Sequence, residues 1–216
     1  MTVMDRLETC GVIPVVPPSS PDAAAELAAA LVEAGLPCLE ITFRAEGAPA
    51  AIERIRAEVP TMTVGAGTVL TVAQVRAAIA AGAQFLVSPG TNPAVVDLAQ
   101  HEGIAILPGV ATPSEIEANL ARGIDVMKLF PAEVLGGVRF LKAVYGPYRA
   151  ARFVPTGGID PGNLGAYLAQ ANVLACGGSW MVPPAALAAG DLASVVRLAR
   201  EAVELVRASR PAGAAS

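Results

Sequence analysis

Only two of the chain's 15 basic residues are lysines, and their settings differ. Lys142 lies in VRFLKAVYG, a helical run, and reads as a solvated side chain. Lys128 lies in VMKLF, with apolar neighbours on both sides. Side chains alternate along an extended strand, so Val126, Lys128 and Phe130 share one face, while Met127 and Leu129 point the other way. Burial penalises an ammonium and favours the neutral amine. A neutral amine in a dry pocket attacks ketones and forms a Schiff base. The alternative is a structural lysine that snorkels out or pairs with a carboxylate. Placement in the middle of so apolar a strand favours the chemical reading.

CLEITFR carries a second constellation. Alternation puts Glu40, Thr42 and Arg44 on one face and Leu39, Ile41 and Phe43 on the other. Three polar side chains turned inward are costly without a role. Glu40 can shuttle protons, and the planar fork of Arg44 can hold a carboxylate. A buried structural Glu–Arg pair is the competing explanation. Two glycine motifs complete the set, VPTGGID and ACGGSW. Gly157, Gly158, Gly177, Gly178 and Ser179 present backbone N–H groups with little side chain to obstruct an anion. One GG pair is weak, because turns need glycine too. VGAGT, residues 64–68, is a third glycine-rich strand end, where Thr68 can touch substrate.

These residues must be held by recurrent strand–helix units. Strand-like runs fall at Gly11–Val16, Cys38–Arg44, Thr61–Gly65, Gln84–Val87, Ala105–Leu107, Val126–Phe130, Phe153–Pro155 and Val173–Cys176. Ala-rich helical runs follow each, near Asp22–Ala34, Pro49–Glu58, Val72–Ala81, Pro93–His101, Pro113–Arg122, Gly137–Tyr145, Pro161–Gln170 and Leu192–Arg207. Ser20-Pro21, Asn92-Pro93, Thr112-Pro113 and Asp160-Pro161 each place a capping residue before a first-turn proline. Gly35, Gly82, Gly103 and Gly123 each stand just past a helix end. Eight βα units predict a parallel (β/α)8 TIM barrel, with an extra N-terminal helix over Met1–Thr9, a single domain over residues 1–210 and a disordered tail, Pro211–Ser216. An open doubly wound sheet is the alternative; it lacks a GxGxxG after the first strand. In such a barrel the chemistry sits at the C-terminal strand ends, and phosphate is often held after strands seven and eight, where both GG motifs fall.

Composition narrows the function classes. Of 216 residues, 54% are hydrophobic and 16% charged, which argues against disorder. Apolar runs are strand-length, so no membrane span is expected, and MTVMDRLETC has no apolar core of a signal peptide. A cytoplasmic protein is expected. Net charge is −4 with scattered basic residues, which disfavours nucleic acid. Few charges and much apolar surface favour an oligomer. Cys10, Cys38 and Cys176 have no metal-ligand spacing and read as buried reduced thiols. His101, the one histidine, reads as a helix-end surface residue. No His/Cys metal site can be built, though a carboxylate site for magnesium stays open.

Taken together, EITFRAE, VGAGTVLT, FLVSPG, ILPGVATPSE, MKLFPAE, FVPTGGI and CGGSWMVP resemble the 2-keto-3-deoxy-6-phosphogluconate (KDPG) aldolases, a family that includes the 4-hydroxy-2-oxoglutarate (KHG) aldolases. The match spans about residues 10 to 190. It implies a class I aldolase with Lys128 as the Schiff-base lysine and Glu40 as general acid/base. It also implies a keto-acid pocket lined by Arg44, Thr68, Pro89 and Phe130, and a phosphate site of Gly157, Gly158, Gly178 and Ser179. The implied partners are a phosphorylated keto-deoxy sugar acid and pyruvate. The implied assembly is a cytoplasmic homotrimer that needs no metal or other cofactor. Many relatives carry threonine where this chain has Ala45, off the Glu40/Arg44 face. Arg44 and SPG favour the phosphogluconate branch over the phosphogalactonate branch. Rivals are a KHG aldolase, a metal-dependent phospho-sugar epimerase, for which the histidines are missing, and a barrel used as a non-catalytic or engineered assembly scaffold.

Overall fold

A computed structural model describes residues 1–210. The tail expected over residues 211–216 lies outside the described residues. The elements run α1 (Val3–Cys10), β1 (Val12–Val16), α2 (Pro21–Glu33), β2 (Cys38–Thr42), α3 (Ala48–Glu58), β3 (Thr63–Gly67), α4 (Val72–Ala80), β4 (Phe85–Val87), α5 (Pro93–His101) and β5 (Ala105–Leu107). They continue with β6 (Gly109–Val110), α6 (Pro113–Leu120), β7 (Val126–Leu129), α7 (Val138–Tyr145), β8 (Arg152–Pro155), α8 (Leu164–Leu168), β9 (Cys176–Gly178), α9 (Pro184–Ala189) and α10 (Leu192–Ser209).

Every strand pairing is parallel. Six strands run in the order β5-β4-β3-β2-β1-β9 and three in the order β6-β7-β8. Pro108 alone separates β5 from β6; proline has no N–H to add to a ladder, but its carbonyl accepts from Lys128 N at 2.9 Å. Isolated parallel bridges, Phe153 in β8 to Val173 before β9 and Thr156 after β8 to Gly177 in β9, link the two segments. The result is an α/β fold with a curled parallel sheet. Strands buried on both faces read as near-continuous apolar runs, as β1 does, whereas the equally buried β2 carries Glu40 and Thr42.

Most local signals act as expected. Ser20, Asn92 and Thr112 accept from backbone N–H groups at the starts of α2, α5 and α6. Gly35, Gly82, Gly103 and Gly123 adopt positive φ at the stops. Asp160-Pro161 does not start a helix. The Asp160 carboxylate instead accepts from Gly162 N and Asn163 N in a tight turn, and α8 begins only at Leu164. Three further expectations change. β3 lies two residues later than expected, over Thr63–Gly67. β9 is Cys176–Gly178, so the second GG pair lies inside a strand rather than after it. α9 went unforeseen because PPAALAA is short and begins with two prolines.

Candidate active site

β2 and β7 aim Glu40 and Lys128 at one another. The alternation expected for both strands holds. Lys128 is 4% exposed and Glu40 3%, and Nζ stands 3.9 Å from Glu40 Oε1. Lys128 pairs in register with Gly109 on one side and Val154 on the other, so its backbone is fixed by both neighbouring strands. The ring of Phe130, two residues on, lies 5.3 Å from Nζ, within reach of a favourable contact between a cation and an aromatic face. The Phe130–Pro131 peptide bond is cis.

The space for Glu40 is made by a glycine. Thr42 pairs in register with Gly67. A Cβ on Gly67 would fall 1.8 Å from Glu40 Oε1. Gly65 does the same for the Phe85 ring, 2.3 Å from where its Cβ would stand. The two glycines of VGAG thus let neighbouring strands lay side chains across β3. Glu40 Oε1 and Thr42 Oγ1 are buried without a hydrogen bond among the described residues. An unpaired buried polar group costs about 1–3 kcal/mol, so both atoms are set for a partner that the described residues do not supply. Thr68, directly after Gly67, has φ 56. A β-branched residue in this region is strained, typically by about 1–3 kcal/mol, and such strain clusters at functional sites.

Above this pair opens a cleft of about 320 Å³. Of the expected residues, Arg44, Phe130, Gly157, Gly158, Gly177, Gly178 and Ser179 border it. Lys128 and Glu40 do not; they lie one layer deeper, each two residues before a bordering side chain on the same strand face, Phe130 and Thr42. Thr68 and Pro89 are also not among the bordering residues. Pro89 packs its carbonyl against Gly109, where a Cβ would approach to 2.1 Å. The sequence reading missed Thr156, which is buried and borders the cleft beneath the GG motifs. The threonine directly before the first GG pair is the available signal. A Cβ on Gly177 would come within 2.3 Å of Thr156 Oγ1, so this seam between β8 and β9 requires glycine.

The GG loop after β8 is clamped from behind. Ala132 N and Glu133 N donate to the carbonyls of Thr156 and Gly157, at 2.9 and 3.1 Å. The phenol of Tyr167 donates to Glu133 Oε1, and Asn163 Nδ2 donates to the Gly158 carbonyl at 2.8 Å. Burial, with Glu133 beside it, pushes the Tyr167 phenol above its ordinary range. Gly157 and Gly158 hold positive φ, 101° and 82°, which glycine adopts readily.

Away from the cleft the thiols differ. Cys38 is buried and Cys10 only partly so, against the expectation of burial for all three. Burial raises Cys176 to about 12 and pushes Cys38 up, while a hydrogen bond from Cys38 lowers Cys10. Lys142 and His101 are exposed, as expected. No group of three metal-ligating side chains occurs among the described residues, and no helix there is long and apolar enough to cross a membrane.

A family model for KDPG and KHG aldolases matches residues 3–198. A 2-dehydro-3-deoxy-phosphogluconate aldolase of Treponema pallidum is 50% identical over 95% of this chain and 98% of its own length. A KHG/KDPG aldolase of Escherichia coli is 46% identical over 92% of this chain and 93% of its own. Among solved structures, KDPG aldolase from Legionella pneumophila, with pyruvate captured at low pH as a covalent carbinolamine intermediate, superposes with TM-score 0.89. Identity there is 36%, over 93% of this chain and 97% of that one.

Proposed function

The chain belongs to the family of KDPG and KHG aldolases, and from that premise we propose how it cleaves 2-dehydro-3-deoxy-6-phosphogluconate to pyruvate and D-glyceraldehyde 3-phosphate. It is an aldolase, a lyase of class I type, which works through a Schiff base. The carrying observation in this chain is the buried Lys128 facing the buried Glu40 at 3.9 Å, beneath a cleft bordered by the glycines of both GG pairs.

Lys128 Nζ attacks the C2 ketone once Glu40, as base, has left it a free amine. The carbinolamine hydroxyl takes that proton back from Glu40 and leaves as water, and the iminium that forms serves as electron sink. Glu40 takes the proton of the C4 hydroxyl, the C3–C4 bond breaks and the aldehyde departs. The enamine is reprotonated at C3 with Glu40 as acid, and hydrolysis frees pyruvate. Arg44 holds the carboxylate from the cleft rim, with Thr68 assisting; the strained backbone of Thr68 supports its role. Pro89 and Phe130 wall the keto-acid end. Gly157, Gly158, Gly177, Gly178 and Ser179 hold the phosphate, remote from the breaking bond, so that binding there orients the reacting carbons. A pyruvate-release assay on the phosphorylated keto-deoxy acid tests this, with turnover expected for wild type and none above background for Lys128→Ala. Equal rates would defeat it.

The same account includes three further claims. The sheet closes as a (β/α)8 barrel with α1 added in front, with β5 and β6 serving as one strand interrupted at Pro108; the β8–β9 bridges support closure. Residues 1–210 make one domain. The working form is a cytoplasmic homotrimer. A second activity, on 4-hydroxy-2-oxoglutarate, is favoured by the name of the Escherichia coli relative. Relative rates on the two substrates decide its weight.

A further inference from the structure

We propose that Asn163 is a positioning residue for phosphate, which turns the Gly158–Ile159 peptide so that the Ile159 N–H faces the cleft as a donor beside that of Gly158. Asn163 stands directly before α8, where an asparagine ordinarily caps the first helical turn. Its side chain makes no such cap. It is spent on the loop after β8 instead. Nδ2 donates to the Gly158 carbonyl at 2.8 Å, and Oδ1 accepts from Asp160 N at 2.9 Å. One amide thus grips the chain on both sides of Ile159. Asp160 steadies it in turn, its carboxylate accepting from Asn163 N at 3.1 Å.

Two successive carbonyls of this loop are tied back. That of Gly157 accepts from Glu133 N at 3.1 Å, and that of Gly158 from Asn163. Both peptide bonds are trans, and in a planar trans peptide the N–H points opposite to the C=O. The N–H groups of Gly158 and Ile159 are therefore directed away from Glu133 and Asn163. Gly158 and Ile159 border the cleft, whereas Glu133 and Asn163 do not. Neither N–H donates to another backbone group among the described residues. Successive backbone N–H groups turned one way make a concavity for an anion. The Ile159 side chain is buried, which anchors the residue while its N–H serves. Of the two ties, that to Glu133 is backbone to backbone, and that to Asn163 is made by a side chain. Asn163 is therefore where the sequence sets the grip on phosphate, and with it the preference for a phosphorylated substrate.

This inference rests on the phosphate role proposed for the two GG pairs. The test compares wild type with Asn163→Ala and Asn163→Asp. The aspartate keeps an acceptor for Asp160 N but sets an oxygen against the Gly158 carbonyl, and it serves if the alanine variant does not fold. In both, kcat/KM for the phosphorylated keto-deoxy acid should fall at least about tenfold, as for loss of one hydrogen bond to a charged group. Inorganic phosphate, as a competitive inhibitor, should weaken by a similar factor. The pyruvate concentration for half-maximal borohydride trapping on Lys128 should stay within about threefold of wild type, because pyruvate makes no use of the phosphate site. In isotope-labelled wild type, inorganic phosphate should shift the amide resonances of Gly158 and Ile159, and in Asn163→Ala the Ile159 shift should shrink. Unchanged kcat/KM and phosphate inhibition in a folded variant overturn the inference. So does an equal loss in pyruvate trapping, which a merely structural role would produce. Ser179→Ala separates the two claims. If it weakens phosphate inhibition and Asn163→Ala does not, the positioning role alone fails. If neither weakens it, the phosphate site is misplaced and the inference falls with it.

Discussion

Adding one methyl group at Gly67 asks whether Glu40 must stand where it does. Gly67 holds no positive φ, so alanine meets no backbone penalty there. Its Cβ, however, would fall 1.8 Å from Glu40 Oε1, 2.3 Å from Cδ and 2.4 Å from Cγ. Real Cβ atoms essentially never come closer than 3.0 Å, so Oε1 must retreat by about 1.2 Å. That oxygen is the one that faces Lys128 Nζ. Misplacing a reacting group by about 1 Å costs roughly 100-fold in rate. Overpacking a core adds about 1–3 kcal/mol of destabilisation, which for a chain of this size lowers Tm by about 2–4 °C per kcal/mol. Gly67→Ala should therefore fold, with a modest drop in Tm, and keep trapping pyruvate on Lys128. Its kcat in a coupled pyruvate-release assay should fall by about 100-fold. Turnover within about threefold of wild type would show that the position of the Glu40 carboxylate is not critical, and would refute the reasoning.

Other perturbations read separate parts of the molecule. Gly177→Ala drives a Cβ into Thr156 Oγ1; loss of one hydrogen bond to a charged phosphate, roughly 1.5–3 kcal/mol, should raise KM for the phosphorylated substrate about 10–100-fold and spare 4-hydroxy-2-oxoglutarate. An equal effect on both substrates would remove this seam from phosphate binding. Tyr167→Phe should lose about 1–2 kcal/mol at pH 8, through the bond to Glu133. Because the folded phenol keeps its proton where the unfolded one releases it, wild-type stability should fall as pH rises above about 10. The phenylalanine variant should lose less over that window, and urea midpoints at pH 8 and 11 measure the difference. Iodoacetamide on the native protein near pH 8 should label Cys10 ahead of Cys38 and Cys176, since the thiolate reacts and only Cys10 is both partly exposed and lowered; labelling of Cys176 first, read by peptide mass, would contradict it.

The parts of this site legible in the sequence are those governed by local rules. Alternation alone turned Lys128 and Glu40 inward, and scarcity of lysine singled out the first of them. Ser20, Asn92 and Thr112 announced their helices because a cap and a first-turn proline act within four residues. Asp160 carried the same signal and failed, because Gly162 and Asn163 let its carboxylate close a turn instead. What stayed hidden depends on neighbours distant in the chain. Gly67 is glycine because of Glu40 on another strand, and Gly177 because of Thr156. Thr68 and Pro89 were assigned to the pocket through resemblance, and neither borders the cleft. The clamp of Glu133 by Tyr167 joins residues 34 positions apart, and no sequence spacing foretells it.

The central claim is a covalent bond between pyruvate and Lys128. Incubation with pyruvate and sodium borohydride, followed by peptide mapping, tests it most directly. The account predicts a stable reduced adduct on the peptide that holds Lys128, and none on that peptide in Lys128→Ala. An unmodified wild-type protein, or equal trapping by Lys128→Ala, would contradict it.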